Sequence, residues 1–232
     1  MAFITGRSGV VATALLCFLA TGCVSTKTVP LASKGSELKG KSIIVVQHER
    51  PAFTAMTAGK MAGGAMFGAL GGAIAGASMV SAGNRIVAEN HLEDPAPKVA
   101  QGIVTDLSVF DDLTVHDARG VIAKTSEPAD LVKLYPGNDL ILDVYTTQWM
   151  FGYFPTNWSH YKVFYAVKLR LIRTSDSKVL AEGFCNRGNE QSVEGAPTYD
   201  ELLANSAGLL KQRLGDLSQA CGKELKDKVF VL

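Results

Sequence analysis

Residues 35–42 read GSELKGKS and satisfy GxxxxGK[ST], the spacing at which backbone N–H groups and a lysine cradle phosphate. That chemistry needs a buried strand before the loop and a helix after it. Here a stretch rich in Ser, Thr, Lys and Gly comes first, and IIVVQ follows as a strand. The order is inverted, so no nucleotide is expected. His48, His91, His116 and His160 fall at no metal-ligand spacing, and Cys185 and Cys221 make no CxxC. The pairs Glu93-Asp94 and Asp111-Asp112 sit near expected helix ends, where solvated carboxylates are usual. Neither GxSxG nor HExxH occurs. No catalytic residue, metal or cofactor is expected, and the chain reads as non-enzymatic.

The remaining concentration of unusual side chains is aromatic. WMFGYFPTNWSHY places Trp149, Phe151, Tyr153, Phe154, Trp158 and Tyr161 in or near a hairpin connection. Trp and Tyr suit partner surfaces and membrane interfaces, since one end of each is apolar and the other accepts water. Trp149, Phe151, Tyr153 and Trp158 are therefore candidate contacts for a lipid, a glycan or a transport or secretion machine. The same rings could instead fold back over the sheet edge.

The N-terminus determines where such a hairpin would work. MAFITGRSGVVATALLCFLATGC carries Arg7, an apolar stretch from Val10 to Ala20, then small residues before a Cys. This is a secretory signal, too short and too early for a spanning helix. Ala20-Thr21-Gly22-Cys23 resembles the lipobox of bacterial lipoproteins. The resemblance implies removal of residues 1–22, acylation of Cys23, and, because Val24 rather than Asp follows, delivery to the outer membrane. Several acyl chains hold a protein on a bilayer where one holds marginally. Residues 23–41 then read as a lipidated tether. Loss of Arg7 leaves 22 basic residues against 22 acidic ones, which gives no reason to expect nucleic acid. Cys17 departs with the signal. Cys185 and Cys221 remain as candidates for one disulfide in an oxidising compartment, or as two separate buried thiols.

From Met61 to Ala82 no charge occurs. As a helix this run would reach ~33 Å, enough to cross a hydrocarbon core. Gly64, Gly68, Gly72 and Gly76 recur along one stripe, with Met66, Phe67, Leu70 and Ile74 opposite. Such a stripe admits a second backbone, as in membrane helix pairs. Residues 57–83 resemble the glycine-zipper stretches of small outer-membrane lipoproteins and surface antigens, which implies membrane insertion or self-association. A helix packed on its own domain, or a flexible insert, stays open.

These features sit among ordinary elements. SIIVVQ (42–47) reads as a strand, Pro97 to Phe110 as a helix with Val99, Ile103, Leu107 and Phe110 on one face, and Leu113 to His116 as a strand. Pro128 to Leu134 reads as a short helix. Asp139–Met150, Tyr161–Arg173 and Lys178–Asn186 follow as a long antiparallel meander. The last helix opens on a capping box, Thr198-x-x-Glu201, and buries Leu203, Leu210, Leu214, Leu217 and Cys221. Cys221 on that stripe could reach Cys185 on the third meander strand. The expected class is α+β: a mixed sheet with helices on one face, plus the Gly/Ala-rich apolar helix. Residues 42–232 form one periplasmic domain interrupted by the helix 57–83. The element order resembles periplasmic domains of curli-secretion and transporter-auxiliary lipoproteins, which implies membrane and envelope-protein partners and self-association.

Overall fold

The computed structural model describes residues 27–57, 68–188 and 192–231. Its strands are β1 (Ser42–Val45), β2 (Gln47–His48), β3 (Thr54–Met56), β4 (Thr114–His116), β5 (Ile122–Ala123), β6 (Leu140–Phe154), β7 (Asn157–Arg173) and β8 (Lys178–Gly188). Its helices are α1 (Lys34–Leu38), α2 (Gly68–Asn90), α3 (Ala96–Asp111), α4 (Pro128–Leu134) and α5 (Tyr199–Leu225), and a π turn (Lys226–Phe230) follows α5. The class is α+β with a mixed sheet.

The sheet order is β4-β1-β6-β7-β8. β6, β7 and β8 form the antiparallel meander, while β4, β1 and β6 run parallel. β3 joins the same edge of β6 further along, pairing Thr54 to Met56 with Met150 to Gly152. One edge of β6 thus serves two short parallel partners. β2 and β5 make a separate two-stranded ribbon.

Alternation on β7 decides the core. Val163, Tyr165, Val167, Leu169 and Leu171 are all fully buried, facing the stripe Leu210, Leu214, Leu217 and Cys221 of α5 and Ile103 and Leu107 of α3. The capping box is formed: Thr198 Oγ1 accepts from Glu201 N, and Thr198 N donates to Glu201 Oε2. Cys185 of β8 and Cys221 of α5 are joined in a disulfide, with Cα atoms 5.5 Å apart. α5 is not one rod. Ala204 is extended and Asn205, Ser206 and Ala207 take left-handed φ between 53° and 58°, so the helix restarts after its first turn.

The structure corrects the sequence reading in three places. Helices do not lie on one face alone: α4 covers Ile44, Ile141 and Ile172 on the opposite face with Leu131 and Tyr135. The expected tether 23–41 is integrated into the domain from Val29 onward. Val29 and Glu182 exchange backbone hydrogen bonds at 2.7 and 2.9 Å, Leu31 N donates to Val229 O, and Leu31 and Leu38 are buried. An apolar side chain every few residues was enough to pull a polar-looking stretch onto the sheet edge.

The third correction concerns the glycine helix, expected over 57–83. Residues 58–67, Gly64 among them, lie outside the described residues. α2 runs on to Asn90 because Met79, Ala82, Ile86 and Val87 continue one buried stripe, leaving Arg85 and Glu89 exposed and 3.9 Å apart. Among the described residues no helix is long and apolar enough to cross a membrane.

Candidate functional site

The hairpin between β6 and β7 does not present its aromatics as one surface. Trp149 and Phe151 are buried, which removes both as partner contacts in this fold. Phe53, just before β3, meets Trp149 edge-on at 5.0 Å and Phe151 at 5.9 Å, and Phe151 packs against Tyr161 and Tyr199. The indole Nε1 of Trp149 donates to Pro51 O at 3.1 Å. β3 and its approach therefore cap one face of the hairpin. Tyr153 is half-buried against the same core. Trp158 alone stands out, at 56% exposure, with its ring 5.9 Å from Tyr153 and its Nε1 donating to Pro155 O. On the other face Lys162 lies over Phe154 and Phe164 at 5.2 and 5.0 Å.

Gly68, Gly72 and Gly76 all fall in α2, whereas the contact that positions the helix is made by Gly83. A Cβ there would stand 1.8 Å from Phe53 O. At Gly76, which is exposed, an added Cβ would meet nothing within 4 Å. Gly83 lies seven residues, about two helical turns, beyond Gly76 and so on the same helix face, which is open at Gly76 and meets the Phe53 carbonyl at Gly83.

Sequence reasoning missed a polar network on the second face of the sheet. Asp143, fully buried, accepts from Arg170 Nε at 2.9 Å and Nη2 at 2.5 Å through one oxygen. His48 Nε2 lies 2.5 Å from the other oxygen. Arg170 also donates to Ser126 O and lies over Tyr145, whose phenol is pushed up by burial. Beside it Lys168 and Glu182 form a buried pair at 2.6 Å. Both oxygens of Asp143 are occupied, and among the described residues no thiol or hydroxyl is hydrogen-bonded to His48, so the group ties β2 and the 124–127 loop to the sheet. The register Asp143↔Arg170 is a directly opposed pair on neighbouring strands. Only the strand alignment, not residue spacing, exposes it.

The other histidines remain apart: His116 bonds Asn138 and His160 forms a backbone bridge with Thr198. Among the described residues no group of His, Cys, Asp and Glu could hold a metal ion. Of the acidic pairs, Asp94 caps α3 at Ala96 N and also bonds Thr146 Oγ1, while Glu93 pairs with Lys98. Lys41 and Ser42, the end of the phosphate-loop pattern, engage Asp139 instead.

Two hollows flank these features. Between β3 and the bulge at Thr146/Gln148 lies a notch of about 390 Å³, lined by Thr54, Thr147, Ala166 and Phe184. A groove of about 1090 Å³ runs between α3 and α5, floored by Val99, Gly102, Ile103, Gly215, Ala220 and Gly222.

No family model matches the sequence, and no curated protein matches it. Several solved structures do. A lipoprotein of Neisseria meningitidis is 15% identical, covering 81% of this chain and 99% of its own, with a TM-score of 0.30. The PelC dodecamer of Paraburkholderia phytofirmans is 13% identical, covering 82% and 96%, at 0.28. A Xanthomonas campestris protein of the DUF330 type is 9% identical, covering 85% and 89%, at 0.37.

Proposed function

We propose that the chain is a non-enzymatic lipoprotein of the bacterial envelope. Acylated Cys23 holds it at the outer membrane, and the α+β domain docks envelope proteins and self-associates through the glycine stripe of α2. The observation that carries this reading is the use of the four cysteines. Cys17 lies in the signal, and Cys185 and Cys221 are joined across the core, a bond suited to an oxidising compartment. That leaves Cys23, directly after Ala20-Thr21-Gly22, with no partner thiol in the mature chain.

The test is metabolic labelling with a palmitate analogue followed by membrane fractionation. Wild type is expected to take up label and sediment with membranes, and Cys23→Ser to lose both. A wild type that stays unlabelled and free of membranes defeats the reading. A second reading, an auxiliary binding lipoprotein that contacts lipid, glycan or a transport machine through the hairpin, is favoured by the exposure of Trp158 and has to work through that ring rather than through Trp149 or Phe151.

A further inference from the structure

We infer that β4 is a seam between two copies of this chain, each laying Thr114–His116 antiparallel to the other so that one sheet runs through both. The surface is distinct from the α2 stripe and does not depend on it. At its other margins the sheet is screened by its own chain. Val29 exchanges backbone hydrogen bonds with Glu182 on the outer side of β8, and Gly83 of α2 lies against the Phe53 carbonyl just before β3. β4 has no such cover. Among the described residues β1 is its one strand partner, and Thr114, Val115 and His116 are all exposed. An open edge invites a further strand, and sheets ordinarily blunt it with a charge, a proline or a bulge. Leu113 to His116 holds no Lys, Arg, Asp, Glu or Pro, and its ladder with β1 runs without a register shift.

The backbone fixes how a second copy fits. Thr114 N donates to Lys41 O, so the polar groups of Thr114 face β1 and those of Val115, one residue on, face outward. A twofold pair needs that arrangement: Val115 of each copy gives its N–H to the other's C=O and receives one in return. The side chains agree. Val115 stands level with Ile43 on the core face of the sheet and is 42% exposed, and its twin would cover it.

The charges agree as well. With Val115 opposite Val115, Asp112 falls opposite Ala118 of the second copy, one place from that copy's Arg119, and the same meeting recurs across the axis. Asp112 and Arg119 are both exposed, while the nearby Asp117 already accepts from Arg119 N. Any extended peptide can take the backbone bonds. A second copy is the occupant that necessarily brings a cation to Asp112 and an anion to Arg119 at once. Three residues a side fall short of the roughly 1,200 Å² that a stable complex buries, so the pair is weak and forms as copies crowd together.

The test is thiol crosslinking in intact bacteria that produce the full chain. Facing Cα atoms in such a pair lie about 5.5 Å apart, so Val115→Cys is treated with a short bis-thiol-reactive linker and the joined peptides are identified by mass spectrometry. Val115→Cys should give a product of twice the chain's mass, far above the level from Ser175→Cys in the exposed turn between β7 and β8. Arg119→Glu added to Val115→Cys should cut the yield several-fold, and Asp112→Lys added to both should restore it. Within one chain the two residues sit at opposite ends of β4, so the rescue reports contact between copies. The product should survive Gly76→Leu, which separates this seam from the α2 stripe. A yield no higher than from Ser175→Cys, a product joining residue 115 to a different protein, or a yield indifferent to both charge changes overturns the pairing.

Discussion

At Glu224 of α5, two cations converge on one carboxylate beside the disulfide. Lys228 Nζ lies 2.7 Å and Arg187 Nη2 2.6 Å from its oxygens. The Lys228 hydrogen bond, then that of Arg187, holds the Glu224 carboxyl below its ordinary value of 4.5. A carboxylate whose folded value is depressed stabilises the fold fully above its unfolded value, and that contribution fades as pH falls through the folded one. The Glu224 side chain is 19% exposed, but both cations reach it from the solvent side, at 45% and 61% exposure, so screening limits its worth to about 0.5–1 kcal/mol. Glu224→Gln should therefore be less stable than wild type at pH 7 by that amount, and the gap should be narrower at a pH below the ordinary carboxyl value of 4.5. Urea unfolding at the two pH values reads it. Sequence spacing shows the pair with Lys228, four residues on, but not Arg187, which arrives from β8 only when the sheet meets the helix.

Gly83 governs how α2 joins the sheet. With 1.8 Å between an added Cβ and the Phe53 carbonyl oxygen, Gly83→Ala forces helix and strand apart. The cost should be about 3 kcal/mol, the upper part of the overpacking range, seen as a lowered urea midpoint. The same substitution should release Phe53 from Trp149 and shift the buried indole emission to the red. Regular elements were legible in the sequence. Pro128 to Leu134 is helical as its proline start implies, β7 turns Val163, Tyr165, Val167, Leu169 and Leu171 to the core although its other face is buried too from Ala166 to Ile172, and Thr198 and Glu201 close the expected box. β3 was not legible. Three residues carry no periodicity, and their partners on β6 lie 96 positions on, from Thr54 to Met150. Missing β3 hid what buries Trp149 and Phe151, and so turned a packed core into an apparent surface. The glycine stripe misled for a related reason: absence of charge ended the expected helix, whereas a buried stripe that ignores Arg85 and Glu89 sets its true extent.

For the molecule as a whole, the glycine stripe of α2, open at Gly76, supplies a test of self-association. Since nothing lies within 4 Å of a Cβ at Gly76, Gly76→Leu leaves the monomer's packing intact, and leucine favours the helix by up to about 1 kcal/mol. Combined with Gly68→Leu and Gly72→Leu, it should abolish crosslinked oligomers while far-ultraviolet dichroism stays unchanged. An unaltered ladder of crosslinked species counts against contact between copies through this helix. The shared edge of β6 has a consequence for how the chain comes to exist. Ser42 bonds Asp139 across 97 positions, and the other partner of β1, the three-residue β4, begins only at Thr114, so the first strand cannot settle into the sheet until much of the polypeptide has emerged. Pairings this distant form slowly, because a long loop must close before they gain anything. If the N-terminus acts as the proposed secretory signal, a chain built in that order stays threadable through a translocation channel and acquires its shape on the far side.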